Sequence, residues 1–349
     1  MNFSFNKSAI TSIFCNTPQK SLDLNSTAKE LKIDSKEANK IIKTTGIKKV
    51  KVAGNNQTSL DLCYNAAIEM FENISENEIN KIDAILFVSQ TRDYIIPQSS
   101  NILQKKLNLS TDIICLDIPM GCSGYVYGLY QANILIMSGC RNVLLLAGDV
   151  SSKMISKFDK TVSMVFGDAG SATLVSNIQS KSFYDIGNDG YKFNDLIIND
   201  GGFRNPINES SRVLNHYEDG VIRSNSDLFM DGLGIMNFAI KRVPKSIENV
   251  LIRSNTNKDK INLFFLHQAN EFMIKYLAKK IKIDYEKVPF EAQKCGNTGP
   301  ASIPLAICNF FNRNNLDDKS KIILSGFGVG LSWATALLDL SHLKTFNIN

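Results

Sequence analysis

The chain has 349 residues, of which 44% are hydrophobic and 21% charged, with a formal charge of +5 at neutral pH. That length allows two average domains or one large one with a generous core. The weak charge gives no reason to expect nucleic acid, and no apolar run reaches the length of a membrane span.

Short apolar and β-branched runs alternate with longer amphipathic segments, which is the pattern of an α/β chain with buried strands. Helical periodicity over Ser59–Phe71 is followed by strand runs at Ala84–Val88 and Ile113–Asp117. A helix is predicted over Ser123–Met137, then strands at Asn142–Ala147 and Ser171–Val175. From about Ser180 to Asp227 the chain is polar and rich in Asn, Asp and Gly, and it reads as loops and hairpins joining two halves or as a cap over a site. Beyond it come helices at Gly234–Leu251, Glu271–Ile281 and Ser302–Phe311, and strands at Leu263–Leu266 and Lys321–Ser325. The expected organisation is therefore two α/β halves, 1–180 and 181–349, with no evident repeat of letters between them.

Seven cysteines, odd in number and widely spaced, argue against a disulfide framework. No apolar leader follows Lys7, so a reducing cytoplasm is the simplest setting. Lysines cluster at Lys40, Lys43, Lys48, Lys49 and Lys51, and again at Lys275, Lys279, Lys280 and Lys282. They read first as solvated faces, and more sharply as a landing patch for an acidic carrier protein.

Three polar residues stand where α/β chains carry chemistry. Cys122, in Gly121-Cys122-Ser123-Gly124, follows a strand and opens a helix. A thiol there meets unsatisfied N–H groups and the positive end of the helix dipole, so a lowered thiol pKa is expected. His267 follows the apolar run Leu263–Leu266, at the end of a buried strand. Asn297 sits in the turn Gly296-Asn297-Thr298-Gly299 ahead of a helix, and Gly326-Phe327-Gly328-Val329-Gly330 offers backbone N–H groups after another strand. Singly, each fits a small core cysteine, a satisfied core histidine or an ordinary turn residue.

Taken together with Lys43-Thr44-Thr45-Gly46-Ile47, Phe166-Gly167-Asp168-Ala169-Gly170 and His267-Gln268-Ala269-Asn270, these blocks resemble the β-ketoacyl-acyl-carrier-protein synthase III family of the thiolase superfamily. The resemblance implies a five-layered α-β-α-β-α fold of two similar halves, a homodimer, and a catalytic set of Cys122, His267 and Asn297. It implies an oxyanion hole of the backbone N–H groups of Cys122 and Val329, and an acyl pocket drawing on Ile96, Asn270, Gly232 and Phe327. Lys160, Lys40 and Lys279 fall at positions for binding carrier protein or coenzyme A. The implied substrates are acyl-CoA or acyl carrier protein thioesters and a malonyl thioester, with no metal or redox cofactor, no nucleic acid and no membrane partner.

The sequence also departs from that family. Members carry a Trp before the Thr-Gly-Ile segment and an Arg before the Phe-Gly-Asp block, and these clamp adenine. Here the corresponding residues are Glu37–Lys40 and Lys160. Ile96, before Pro97, stands where the family places a Phe that reaches across the dimer. Phe272 replaces a docking Arg, and Val329 stands where many members have Gly. These departures read as a specialised member handling an unusual short acyl group. The alternatives are acyl transfer from Cys122 to an alcohol or amine without decarboxylation, and a non-catalytic dimer partner. A polyketide synthase of type III and a hydroxymethylglutaryl-CoA-synthase-like reaction fit less well, the latter because the stretch Ser89–Asp93 holds no Glu.

Overall fold

The apolar runs become the inner strands of two sheets. The computed structural model describes residues 1–217, 221–314 and 321–349. Its first sheet is built from β2 (Ser8–Asn16), β3 (Ile82–Val88), β4 (Ile114–Ile118), β5 (Asn142–Val150), β6 (Asp168–Asn177) and β11 (Thr345–Ile348). The second contains β1 (Asn2–Phe5), β7 (Ser182–Asn188), β8 (Leu263–Leu266), β9 (Ile322–Gly328) and β10 (Ser332–Leu338). Their orders are β11-β2-β6-β5-β3-β4 and β1-β7-β10-β9-β8. Every position of β5, β8 and β9 is buried, so these strands are continuous apolar or small-residue runs rather than alternating ones.

Helices fill three layers around the sheets. On the outside of the first sheet lie α2 (Ser59–Asn73) and α3 (Ser99–Lys106). Outside the second lies α5 (Gly232–Ser254), with α6 (Glu271–Ile281) beside it. Between the sheets run α4 (Gly124–Met137) and α7 (Ser302–Arg313), each touching strands of both. A helix between two sheets needs apolar or small residues all round rather than one stripe. Accordingly, α7 is buried continuously from Ser302 to Cys308. In α4, Gly124 and Gly128 press against Val88 and Leu145, where an added Cβ would come within 2.5 and 2.6 Å of their methyl groups. The result is the five-layered arrangement α-β-α-β-α. No described helix is long and apolar enough to cross a membrane.

All the elements predicted above are present, with ends displaced by a few residues. Residue 180 falls in the link between β6 and β7. The two halves nevertheless exchange strands, since β1 pairs with β7 in the second sheet and β11 pairs with β2 in the first. The polar stretch after Ser180 contributes short ribbons, in which Leu196–Ile197 pairs with Phe229–Met230 and Asn215–His216 with Ile222–Arg223. One further helix, α1 (Ser35–Thr45), packs near α6 and ends on Gly46 in the left-handed region, at φ 71°.

Candidate active site

Cys122 lies just ahead of α4, after the short link from β4. It is pressed from the second sheet by β9: a Cβ on Gly328 would come 2.8 Å from Cys122 Sγ, and one on Gly326 2.8 Å from Ser123 Cα. Glycine at both positions lets the strand backbone reach Cys122 and Ser123.

The expectation of a lowered thiol pKa is overturned. Burial pushes the Cys122 thiol up to about 11. The backbone N–H groups of Val329 and of Cys122 itself pull the other way, and the negative charge of Asp149 adds to the rise. At this helix start, desolvation outweighs the N–H groups and the dipole.

His267 ends β8 and is buried, with its backbone N–H donating to Ser325 O at 2.8 Å. Its ring stands edge-on to Phe327, with centroids 5.6 Å apart and planes at 89°, and Phe327 adjoins the Gly328 that abuts Cys122. Nδ1 lies 2.8 Å from Ser302 Oγ, and that oxygen also accepts the Gln268 N–H at 3.5 Å. The Ser302 hydroxyl has a second lone pair as well as its proton, so this contact fits either tautomer of the ring; when the hydroxyl donates to Nδ1, the ring proton sits on Nε2. Burial lowers the imidazole pKa to about 3, so the ring is neutral at physiological pH.

Asn297 is held by its backbone, with its N–H on Val165 O at 2.8 Å and its carbonyl accepting from Gly167 N at 2.9 Å. Its side-chain Oδ1 accepts the Gly299 N–H at 3.1 Å. That bond fixes the amide and leaves its NH2 group as a donor. Gly299 and Phe166, neighbours of Asn297 in sequence and across this bridge, line the same cavity as Cys122.

The cavity beside Cys122 has a volume of about 190 Å³. Its apolar lining includes Met154, Phe166, Leu196, Ile198 and Leu228. Part of the stretch after Ser180 therefore covers the cavity. Its polar lining includes Gln90, Asp149 and Ser151. Asp149 is 1% exposed, and its Oδ1 accepts four hydrogen bonds, from Ser89 Oγ, Gln90 N, Thr91 N and Thr91 Oγ1, at 2.8 to 3.1 Å. Burial still raises its pKa to about 6. Nothing in the sequence joins the stretch Ser89–Asp93 to Asp149 and Ser151, because they come from two strand ends about 60 residues apart and only the parallel pairing of β3 with β5 brings them together.

The remaining expected positions are scattered. Phe327 is buried against His267. Asn270 caps α6, its Oδ1 accepting the Met273 N–H at 2.8 Å, and Gly232 opens α5 with nothing within 4 Å of an added Cβ. Neither lines the cavity, because helix starts claim both. Ile96 is 83% exposed and stands away from the cavity of its own chain. Lys160 pairs with Glu37 at 2.7 Å, while Lys40 and Lys279 are exposed on α1 and α6.

The chain matches the family profile described as 3-oxoacyl-[acyl-carrier-protein (ACP)] synthase III over residues 116–190, and the C-terminal part of that family over 251–340. It is 32% identical over 319 residues to a beta-ketoacyl-[acyl-carrier-protein] synthase III of Rhodopirellula baltica, covering 85% of this chain and 89% of that protein. A protein of the same name from Clostridium tetani is 33% identical over 303 residues, with coverage of 85% and 89%. The crystal structure of a 3-oxoacyl-(acyl-carrier protein) synthase from Burkholderia xenovorans superposes with a TM-score of 0.91 at 32% identity, over 100% of this chain and 99% of that one. The chain therefore belongs to the 3-oxoacyl-[acyl-carrier-protein] synthase III family, ketoacyl synthases of thiolase fold.

Proposed function

We propose that the protein takes an acyl group from a thioester onto Cys122 and extends it by decarboxylative condensation with a malonyl thioester, releasing a 3-oxoacyl thioester. The observation that carries this reading is a neutral, buried His267 ring, accompanied by an Asn297 amide held through Gly299, a residue that lines the cavity with Cys122.

Cys122 Sγ attacks the donor carbonyl, the new C–S bond replaces the donor's, and the departing thiol takes up the proton. The transient oxyanion sits against the N–H groups of Cys122 and Val329. The malonyl thioester then enters, and His267 Nε2–H and the Asn297 NH2 group donate to its thioester oxygen. Carbon dioxide leaves, and its bonding electrons pass into an enolate held by those two donors. The enolate carbon attacks the acyl carbon and Cys122 is released. A ring with pKa near 3 stays a donor and does not take a proton from solvent.

The donor is read as a carrier protein rather than coenzyme A. Glu37 and Lys160, at the positions of the family's adenine clamp, are engaged with one another. The working unit is read as a cytoplasmic homodimer. Exposed Tyr94, Ile95 and Ile96, together with Ile114 and Leu116 on the edge strand β4, supply the apolar surface for a second copy.

The test is intact mass after incubation with short acyl-carrier and acyl-CoA thioesters, followed by malonyl thioester with carbon dioxide detection. The expected result is an adduct absent from Cys122→Ala, discharged together with carbon dioxide. Discharge to an alcohol or amine without carbon dioxide would replace condensation by simple acyl transfer, and no adduct from any donor would end the catalytic reading.

A further inference from the structure

We infer that the cavity beside Cys122 selects a short acyl group bearing a hydroxyl, which is recognised by Asp149 and Ser151 with Gln90 beside them. The inference rests on the reading of Cys122 as the acylated residue and gives that acyl group a chemical class.

Polar atoms at the cavity are left without protein partners among the described residues. Asp149 Oδ1 takes all four of the carboxylate's internal hydrogen bonds, and none among the described residues goes to Oδ2. That second oxygen lies toward Gly299, where an added Cβ would stand 3.2 Å from it, and Gly299 lines the cavity. Ser151 is 2% exposed and lines the cavity, and no described hydrogen bond uses its hydroxyl. Gln90 reaches over Gly121, next to the nucleophile, and its side-chain amide is likewise unused. Asp149 Oδ2 and the Ser151 hydroxyl are not among the sealed, partnerless polar atoms of the described residues, so water in the cavity serves them, and an acyl group that displaces that water must replace its hydrogen bonds.

A plain alkyl group would strip water from both and give nothing back. A hydroxyl on the acyl chain donates to Asp149 Oδ2 and accepts from Ser151, while the chain itself packs on Met154, Phe166 and Leu228. At about 190 Å³ the cavity has room for a short acyl group, and 3-hydroxybutyryl is a short chain that places a hydroxyl beyond the thioester carbonyl. Sites built to hydrogen-bond a substrate hydroxyl discriminate strongly against the analogue that lacks it.

The experiment is a competition between butyryl- and 3-hydroxybutyryl-pantetheine for the full-length protein, read as the masses of the two adducts. The hydroxylated donor is expected to load Cys122 at least about tenfold faster. Ser151→Leu is expected to cut or reverse that preference, read as the ratio of the two adducts. Asp149→Asn, which keeps an acceptor oxygen and removes the charge, is expected to narrow it. Equal or faster loading of butyryl by the unaltered protein overturns the inference and leaves the role of Cys122 standing, as does a preference unmoved in both variants. Absence of any adduct at Cys122, from these and from the wider acyl series, overturns both.

Discussion

The two halves share a strand plan and differ in what they set at its ends. In the first, β3-β5-β6-β2 run parallel, antiparallel and antiparallel in turn, and in the second β8-β9-β10-β7 repeat that plan. The residue after β3 is Ser89, which donates to a buried carboxylate, whereas the residue after β8 is His267, which meets Ser302. The central helix of the first half begins beside Cys122, and that of the second follows the loop of Asn297. In the proposed reaction one half thus carries the nucleophile and the residues beside its acyl group, and the other carries the donors for developing negative charge. The site exists only where the halves meet, because each supplies a group the other lacks.

That division of labour can be broken most sharply by single substitutions on either side. Cys122→Ala is expected to abolish both adduct and turnover. His267→Ala and Asn297→Ala are each expected to keep the adduct and to slow condensation by about 10²–10³-fold. Their double variant is expected to lose less than the product of the two, because both act on one oxygen. Single-turnover loading and carbon dioxide release, measured separately, check this. Loss of loading in the His267 variant would show that the halves do not divide the steps.

A smaller effect sharpens the electrostatic side of the comparison. With the thiol raised to about 11, alkylation of Cys122 by iodoacetamide is expected to climb about tenfold per pH unit from pH 7 to 10 without levelling. Cys122→Ala supplies the background from the other cysteines. A plateau near pH 7 would mean that the N–H groups of Cys122 and Val329 prevail over burial. On the acid side, protonation of His267 is expected to leave the rate of condensation untouched until the pH approaches 3.

The smallest expected effect concerns what joins the halves. Asn133, buried in α4, accepts from Ser8 on β2 and from Ser182 on β7 at 3.2 Å, and donates to Tyr184 OH at 3.0 Å. One side chain thereby bonds both sheets across the central layer. Asn133→Ala is expected to lower stability by about 1–3 kcal/mol with little change in catalysis, measured as a shift in the urea midpoint. An unchanged midpoint would mean that the sheets are held together by apolar packing alone.

What was legible in the sequence followed from uniform chemistry. β8 and α6 were placed to the residue because Leu263–Leu266 is wholly apolar and Asn270 makes a sharp helix start. β2 was not seen, although eight of its nine positions are buried, because Ser8, Thr11 and Ser12 interrupt the apolar run. Their hydroxyls find partners inside the fold, on Asn133, Ser176 and Thr345, which no local pattern announces. Cys122, His267 and Asn297 stand out in the sequence because each lies at a strand end or a helix approach, and the structure places them at those positions. The thiol's pKa was misjudged because the local rule counts the helix start and not the second sheet lying over it. Asn270 and Gly232 were placed in the pocket by resemblance, but the helices they begin take them elsewhere.

The exchange of end strands bears on how such a chain comes to fold. β2 meets β11 through pairs such as Ser12 with Thr345, 333 residues apart, while β1 must wait for β7. Contacts closed over so long a span are entropically late. A ribosome releasing this chain from its N-terminus therefore exposes an open flank of β2 until β11 has emerged. Residues 1–180 expressed alone would keep that flank, a template for unwanted strand pairing. The two halves, alike in plan, make one cooperative unit that is finished only when both ends of the chain are in place.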